Sequence, residues 1–199
     1  MLIKLIQKLN LQNLLLLAIP RGGIQVAEPI AHKLKIPIYP FIVKKLPIPD
    51  SPETAFGAIA PDGTMVLDEK TIRYLGLTEN IINATAERVK GEITHRIKIY
   101  GGFNVEEIRG KDVIVVDDGV ATGYSLIAAL KSIKKMLPKS LTVCVPVSSY
   151  NAFQKIIPLV DNIVCPIVDE YSFFAVGYYY EEFNDLPEDE IKAILGKYR

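Results

Sequence analysis

The chain reads as an α/β domain built on a doubly wound parallel sheet, with helices on both faces. Three observations lead there. Short apolar runs alternate with longer segments of helical period from residue 14 onward, the pattern of successive βαβ units. The run VIVV at 113–116 has no polar interruption, as a strand covered on both faces requires. Two such runs end in glycine-bearing turns that lead straight into helices, at 20–23 and 117–125. Ligands in open sheets of this kind bind beyond the carboxyl ends of strands, so function is sought at those two turns.

The 199 residues are expected to form one domain, 1–199. The hydrophobic content of 49% and mean hydropathy of +0.22 exclude a disordered chain. Lys and Arg number 23, as do Asp and Glu, so the chain has no general electrostatic grip on nucleic acid. Cys144 and Cys165 lie in strand-type runs and read as buried thiols, with no spacing that supports a disulfide. His32 and His95 are too few for a histidine metal site and are expected at the surface or at helix caps. Residues 1–17 are apolar, but Lys4, Lys8, Asn10, Gln12 and Asn13 break the run and no small-residue cleavage site follows. Nothing approaches a span of about 20 apolar residues. The expectation is a cytoplasmic protein with no membrane partner.

In chain order, 1–9 has Leu2, Leu5, Ile6 and Leu9 at helical spacing. Residues 14–19 form the first core strand, ending in Pro20-Arg21-Gly22-Gly23, and 24–34 a helix. Residues 37–43 are the next strand. Lys44 and Lys45 follow, then 46–53, where Pro47, Pro49 and Pro52 forbid a regular helix. Residues 54–60 and 64–67 can pair as a hairpin across Pro61-Asp62-Gly63. Helices are expected at 68–75 and 78–100, the second with Thr78 as N-cap and Ile81, Ile82, Val89, Ile93 and Ile97 as its apolar positions. Gly101-Gly102 ends it. After 113–116 a helix runs to about 136. Strands at 141–147 and 162–167 flank a short helix at 151–157, and 188–195 is a closing helix with acids in its first turn. The stretch EYSFFAVGYYYEEF at 170–183 crowds four tyrosines and three phenylalanines, read plainly as a strand with its packing partners.

The turn after 113–116 is chemically legible. Asp117 and Asp118 suit sugar hydroxyls or a hydrated magnesium ion. Gly123 lets backbone amides approach a ligand, Thr122 and Ser125 add hydroxyls, and the helix start adds unpaired N–H groups that suit a phosphate. Together these describe a ribose 5-phosphate site. An ordinary strand ending in an Asp-Gly turn fits the same residues, and composition does not choose between them. The 20–23 turn is likewise either a plain connection or a pyrophosphate loop.

Residues 114–125 resemble the phosphoribosyl pyrophosphate (PRPP) signature of type I phosphoribosyltransferases: four apolar residues, two acids, two mostly apolar positions, then small-Thr-Gly-x-Ser/Thr. Gly119 departs from it, standing where the family usually has an apolar residue, and is expected to loosen the loop. The chain is also similar, over nearly its full length, to a subfamily of predicted phosphoribosyltransferases. They share the segments L-x-x-P-R-G-G, V-x-K-L, DDGxATG and F-F-A-V-G.

That resemblance implies a type I phosphoribosyltransferase fold with a flexible β-hairpin lid at about 44–67 and a small C-terminal hood at about 168–199. It implies transfer of the 5-phosphoribosyl group from PRPP to a nitrogenous base or amine, with Mg²⁺ and release of pyrophosphate, within nucleotide metabolism. A PRPP-sensing regulator without turnover and a ribose-5-phosphate binder of other chemistry are the alternatives. Asp117 and Asp118 would hold the ribose hydroxyls and the magnesium shell, and Val120, Ala121, Thr122, Gly123, Tyr124 and Ser125 the 5-phosphate. Arg21, Gly22 and Gly23, aided by Lys45, would stabilise the departing pyrophosphate, and the Pro20–Arg21 peptide would be cis. In the hood, Phe174 would stack on the acceptor beside Val176, and Glu181 would serve the metal. A homodimer is expected. Hypoxanthine-guanine enzymes carry an aspartate where this chain has Ala121, and a lysine shortly before the hood ring that 167–173 lacks. Hypoxanthine and guanine are therefore expected to be poor acceptors, with Asp169 and Glu170 as acids that could serve a different base.

Overall fold

The chain begins with α1 (Leu2–Gln7) and enters β1 (Leu14–Ala18), α2 (Gly22–Leu34) and β2 (Ile38–Pro40). An antiparallel excursion follows, β3 (Lys44–Ile48), β4 (Ser51–Ile59) and β5 (Met65–Leu67), then α3 (Glu69–Leu75) and α4 (Glu79–Tyr100). The chain returns through β6 (Asp112–Val116), α5 (Tyr124–Lys134), β7 (Ser140–Cys144), β8 (Val147–Ser149), α6 (Tyr150–Ile156), β9 (Asn162–Val164) and β10 (Ile167–Asp169), and closes with α7 (Glu188–Lys197). The structure, a computed structural model, describes every residue but Asp50, Ser172 and Arg199, and of Pro52 and Glu53 the backbone alone.

The central sheet is parallel throughout, in the order β2-β1-β6-β7-β9. Alternate residues of its strands feed two cores. Leu16, Ala18, Ile114 and Val116 pack with Ile24 and Ile30 of α2, Val89 and Ile93 of α4, and Ile191 and Leu195 of α7. Leu15, Leu17, Val113 and Val115 face the other way, onto Leu126, Leu130 and Ile133 of α5. Both faces are dry, which is why these strands show no polar alternation.

Two expected strands are split by proline. The 141–147 run breaks at Pro146 and the 162–167 run at Pro166. The N–H of Val145 still donates to the Val164 carbonyl at 3.0 Å. Beyond it the prolines have no N–H to continue the ladder. The chain resumes as a second parallel pair, β8 with β10.

The 37–43 strand is also shorter than expected. Only 38–40 pair with β1, and Phe41 and Ile42 turn into the core. Residues 44–48, where the prolines that follow forbid a regular helix, form β3 against β4, from Lys44 opposite Ile59 to Leu46 opposite Gly57, with register shifts on either side of Pro47. The 54–60/64–67 hairpin forms as expected, with Ile59 opposite Met65. Leu46, Phe56 and Ile59 are fully buried, so the root of the hairpin belongs to the core. Asp50 and the side chains of Pro52 and Glu53, within the expected lid, lie outside the described residues.

On α4, Thr78 caps the helix by accepting from the Ile81 N–H at 3.4 Å, while Ile81 itself is exposed rather than core. Residues 170–183 contain no strand among those described; they wind into a 3₁₀ turn at Val176–Tyr179. Cys144 is buried and Cys165 half-buried, both free thiols, with burial pushing them up to about 12 and about 11. His32 and His95 are both exposed. Among the described residues no helix is long and apolar enough to cross a membrane.

Candidate active site

From β1 the chain passes through α2 to β2 on one side of the sheet. From β6 it passes through α5 to β7 on the other. Counting sheet strands alone, this is the order 2-1-3-4-5, whose switch point lies between β1 and β6. The loops after these two strands face one another across it.

The first loop is tight because β6 ends against it. The Pro20–Arg21 peptide is cis, as the resemblance implies. The Ile19 N–H donates to the Val116 carbonyl at 2.9 Å. A Cβ on Gly22 would stand 1.9 Å from an Asp118 carboxylate oxygen, and one on Gly23 would stand 2.6 Å from the Val116 carbonyl oxygen. At Gly23 the obstacle is backbone and only glycine fits; at Gly22 a side chain would have to displace the Asp118 carboxylate. The helix starts at Gly22, two residues before the apolar pattern begins, so its first amides lie at the crevice.

The second loop starts with Asp117 and Asp118, both half-buried, the Asp118 N–H donating to an Asp117 carboxylate oxygen at 3.0 Å. Burial pushes both acids up, Asp117 well above the usual carboxylate range, with the charge of Asp118 adding to it. The loop is then pinned to β8. The Val120 N–H donates to the Val147 carbonyl at 3.0 Å, and the Ser149 N–H to the Val120 carbonyl at 2.9 Å. The Ser149 hydroxyl donates to the Ala121 carbonyl at 2.6 Å. Gly119 does not loosen this loop. A Cβ there would stand 2.6 Å from a Val176 methyl and 3.0 Å from one of Val147, so the hood fills the space a side chain would take. Gly123, at φ +86°, opens α5, whose first internal bond runs from the Ile127 N–H to the Gly123 carbonyl at 2.8 Å. The N–H groups of Tyr124, Ser125 and Leu126 are left for a ligand.

Two cavities of about 470 and 270 Å³ meet over Asp117 and Asp118. The smaller is walled by all of 117–126 together with Lys45 and Val176. It gathers every residue assigned to the 5-phosphate from the sequence. The larger is walled by Arg21 and Gly22, Lys44 and Lys45, Glu92 and Arg96, and Asp185. Lys45 reaches both cavities and makes no ion pair among the described residues, whereas Lys44 is paired with Glu92. Arg21 is paired with Asp185.

The hood is arranged differently from its sequence reading. Val176 walls the smaller cavity, but Phe174 walls neither; it is half-buried and stacked on Tyr179 with ring centroids 5.5 Å apart. Glu181 is exposed and outside both linings, and the acid of this segment that reaches the cavity is Asp185. Asp169 is buried, with one oxygen accepting from the Tyr171 N–H at 2.7 Å and the other from the Tyr179 hydroxyl, so it holds the hood and is not free for an acceptor. The Tyr180 hydroxyl donates to the Asp118 carbonyl at 2.6 Å. Sequence reasoning missed Tyr180, Asp185, Glu92 and Arg96. For α4 a signal exists: Glu92 and Arg96 follow Val89 at helical spacing on a face that begins apolar.

The donor set fits a hard, oxygen-seeking cation, since two half-buried carboxylates with raised affinity for a proton face one cavity. Among the described residues no group of three or more potential ligands gathers, so an ion held by Asp117 and Asp118 would complete its shell with water and substrate oxygens.

The chain belongs to the phosphoribosyl transferase domain family, whose pattern it matches over residues 1–182. Among individual proteins, it is 30% identical over 191 residues to the Mycobacterium tuberculosis protein named "Putative phosphoribosyl transferase Rv0571c", and equally to "Putative phosphoribosyl transferase MT0597" of another strain. These matches cover 96% of this chain and 43% of the relative, so the chain spans less than half the length of the curated relatives it matches. The crystal structure of TT1426 from Thermus thermophilus superposes with a TM-score of 0.77 at 31% identity, covering 99% of this chain and 93% of that one.

Proposed function

We propose that the chain transfers the 5-phosphoribosyl group of PRPP to a nitrogenous base or amine, releasing pyrophosphate. One observation carries the reading: two amide-rich helix starts, at Gly22 and Gly123, stand on either side of a carboxylate pair at the sheet's switch point. PRPP has the matching order, a phosphate at one end, ribose hydroxyls between, and a diphosphate at the other. Residues 120–125 bind the 5-phosphate through helix-start N–H groups and hydroxyls. Asp117 and Asp118 accept from the ribose hydroxyls. Arg21, Lys45 and the first amides of α2 hold the diphosphate.

The bond between C1 and the diphosphate oxygen breaks, its electron pair leaving with pyrophosphate. A lone pair of the acceptor nitrogen forms the new bond to C1, and the acceptor loses a proton. As positive charge develops at C1 and negative charge on the leaving group, the fixed cations and amides of the first loop stabilise the latter without reorganising. We include Mg²⁺, held through Asp117 and Asp118; when bound it neutralises the polyphosphate and favours departure of pyrophosphate. A cytoplasmic setting completes the reading.

The test is a panel of bases and amines incubated with the full chain, PRPP and Mg²⁺, followed by pyrophosphate release. Release that depends on one acceptor is the expected result. Saturable PRPP binding with no turnover across the panel would identify a sensor instead, and no PRPP binding would overturn both readings.

A further inference from the structure

Four cations wall the larger cavity, and they are not equivalent. Arg21 is neutralised by Asp185 and Lys44 by Glu92. Lys45 and Arg96 make no ion pair among the described residues. Arg96 comes from the body of α4, far from either sequence motif. Its guanidinium carbon lies 5.8 Å from the ring centre of Tyr100, and that ring is fully buried, so the guanidinium is supported on one side by an aromatic platform. The acid that feels it, Glu188, is exposed and already bonded to Lys192 at 2.9 Å. Arg96, half-buried, without a carboxylate partner among the described residues, and lining a cavity that also holds an amide-rich loop, is placed to meet an anion.

We propose that Arg96 is a diphosphate-binding residue, gripping the phosphate of PRPP farthest from the ribose from the α4 side of the crevice. This rests on the transferase reading for the identity of the ligand. The diphosphate is then held between two walls, the loop after β1 on one side and α4 on the other, with Lys45 between them. A planar fork of donors can take two oxygens of one phosphate at once, which lysine cannot. The residue thereby selects a diphosphate-bearing sugar over ribose 5-phosphate, because the simple phosphate ester has nothing to place there.

The experiment is calorimetric titration of the full chain, wild type, Arg96→Gln and Arg96→Lys, with two separate probes, inorganic pyrophosphate with Mg²⁺ and ribose 5-phosphate. Arg96→Gln is expected to weaken pyrophosphate roughly ten- to hundredfold, the range for losing a charged hydrogen-bonding partner, and to leave ribose 5-phosphate unchanged. Arg96→Lys should fall between the two. Unchanged pyrophosphate affinity in Arg96→Gln would overturn the proposal, and so would an equal loss for both probes, which marks a structural defect. If pyrophosphate binding depends on Arg96 but wild-type protein shows neither PRPP binding nor turnover, Arg96 remains a diphosphate-binding residue, its ligand is not PRPP, and the transferase reading falls.

Discussion

Asp117 and Asp118 are held where a carboxylate is least comfortable: half-buried, side by side, with Asp185 near the second. A carboxyl whose pKa is raised on folding contributes stability that is full below the unfolded value, about 3.9, and lost as pH rises through the folded value. At neutral pH the ligand-free protein therefore bears the cost of holding these two carboxyls together, which a cation or a set of sugar hydroxyls would relieve. Replacing both acids by Asn should raise the ligand-free melting temperature at pH 7 by about 2–4 °C, the shift for a gain of about 1 kcal/mol in a chain of this size. The gain should shrink as pH falls toward about 4. The same variant should lose Mg²⁺-dependent PRPP binding. Thermal melts across pH check the first part and titration the second; a double variant no more stable at pH 7 than wild type would remove the electrostatic argument. Gly22 belongs to the same chemistry, since its missing side chain is what lets the Asp118 carboxylate sit against the first loop.

Loop and hood are coupled through Gly119. The sequence marks this glycine only as a departure from a pattern; its cause is Val176, some fifty-seven residues later in the chain, which no local rule brings opposite it. Gly119→Ala should destabilise by roughly 1–3 kcal/mol, as overpacking does. Adding Val176→Ala should recover part of the loss, giving a coupling energy of about 0.5 kcal/mol or more. Additive effects in chemical denaturation would show that the two do not meet. Other elements were legible for equally specific reasons. The 54–60/64–67 hairpin was readable from its Pro-Asp-Gly turn and α4 from Thr78. The splits at Pro146 and Pro166 were readable in principle, since each proline removes a ladder N–H, but continuous apolar runs masked them. Asp185 had no local signal at all. Its pair with Arg21 is exposed, and such pairs contribute about 0.2–1 kcal/mol, so a diphosphate can displace it readily. Asp185→Asn should therefore strengthen pyrophosphate binding about two- to fivefold. Weaker binding would mean that Asp185 supports the ligand rather than competing with it.

At the scale of the whole molecule, the parallel sheet and its switch point follow from apolar runs that need no long-range information, and so the acids, the two loops and their roles as one crevice could be read in advance. What could not be read is which distant segments close that crevice. The expected lid was about residues 44–67. In the structure Leu46, Phe56 and residues 58–60 are fully buried, and the last of these pack against the elements around the central sheet. Residues so packed open only when much of the domain opens. The hood differs: residues 173–186 hold one short 3₁₀ turn and expose Phe173, Tyr178 and Phe183, yet both ends are fixed, at buried Asp169 and through Ile191 and Leu195 of α7. Motion on ligand binding should accordingly fall in the hood. Hydrogen exchange with and without PRPP and Mg²⁺ tests this. Residues 173–186 are expected to gain protection, as the ligand replaces Asp185 on Arg21 and meets the loop that Val176 covers. The amides of residues 57–60 should exchange slowly in both states, as should those of β1, β6 and α7. Rapid exchange across 57–60 in the free protein, slowed by ligand, would restore the broad lid; a hood indifferent to ligand would show that residues 173–186 take no part in closing the site.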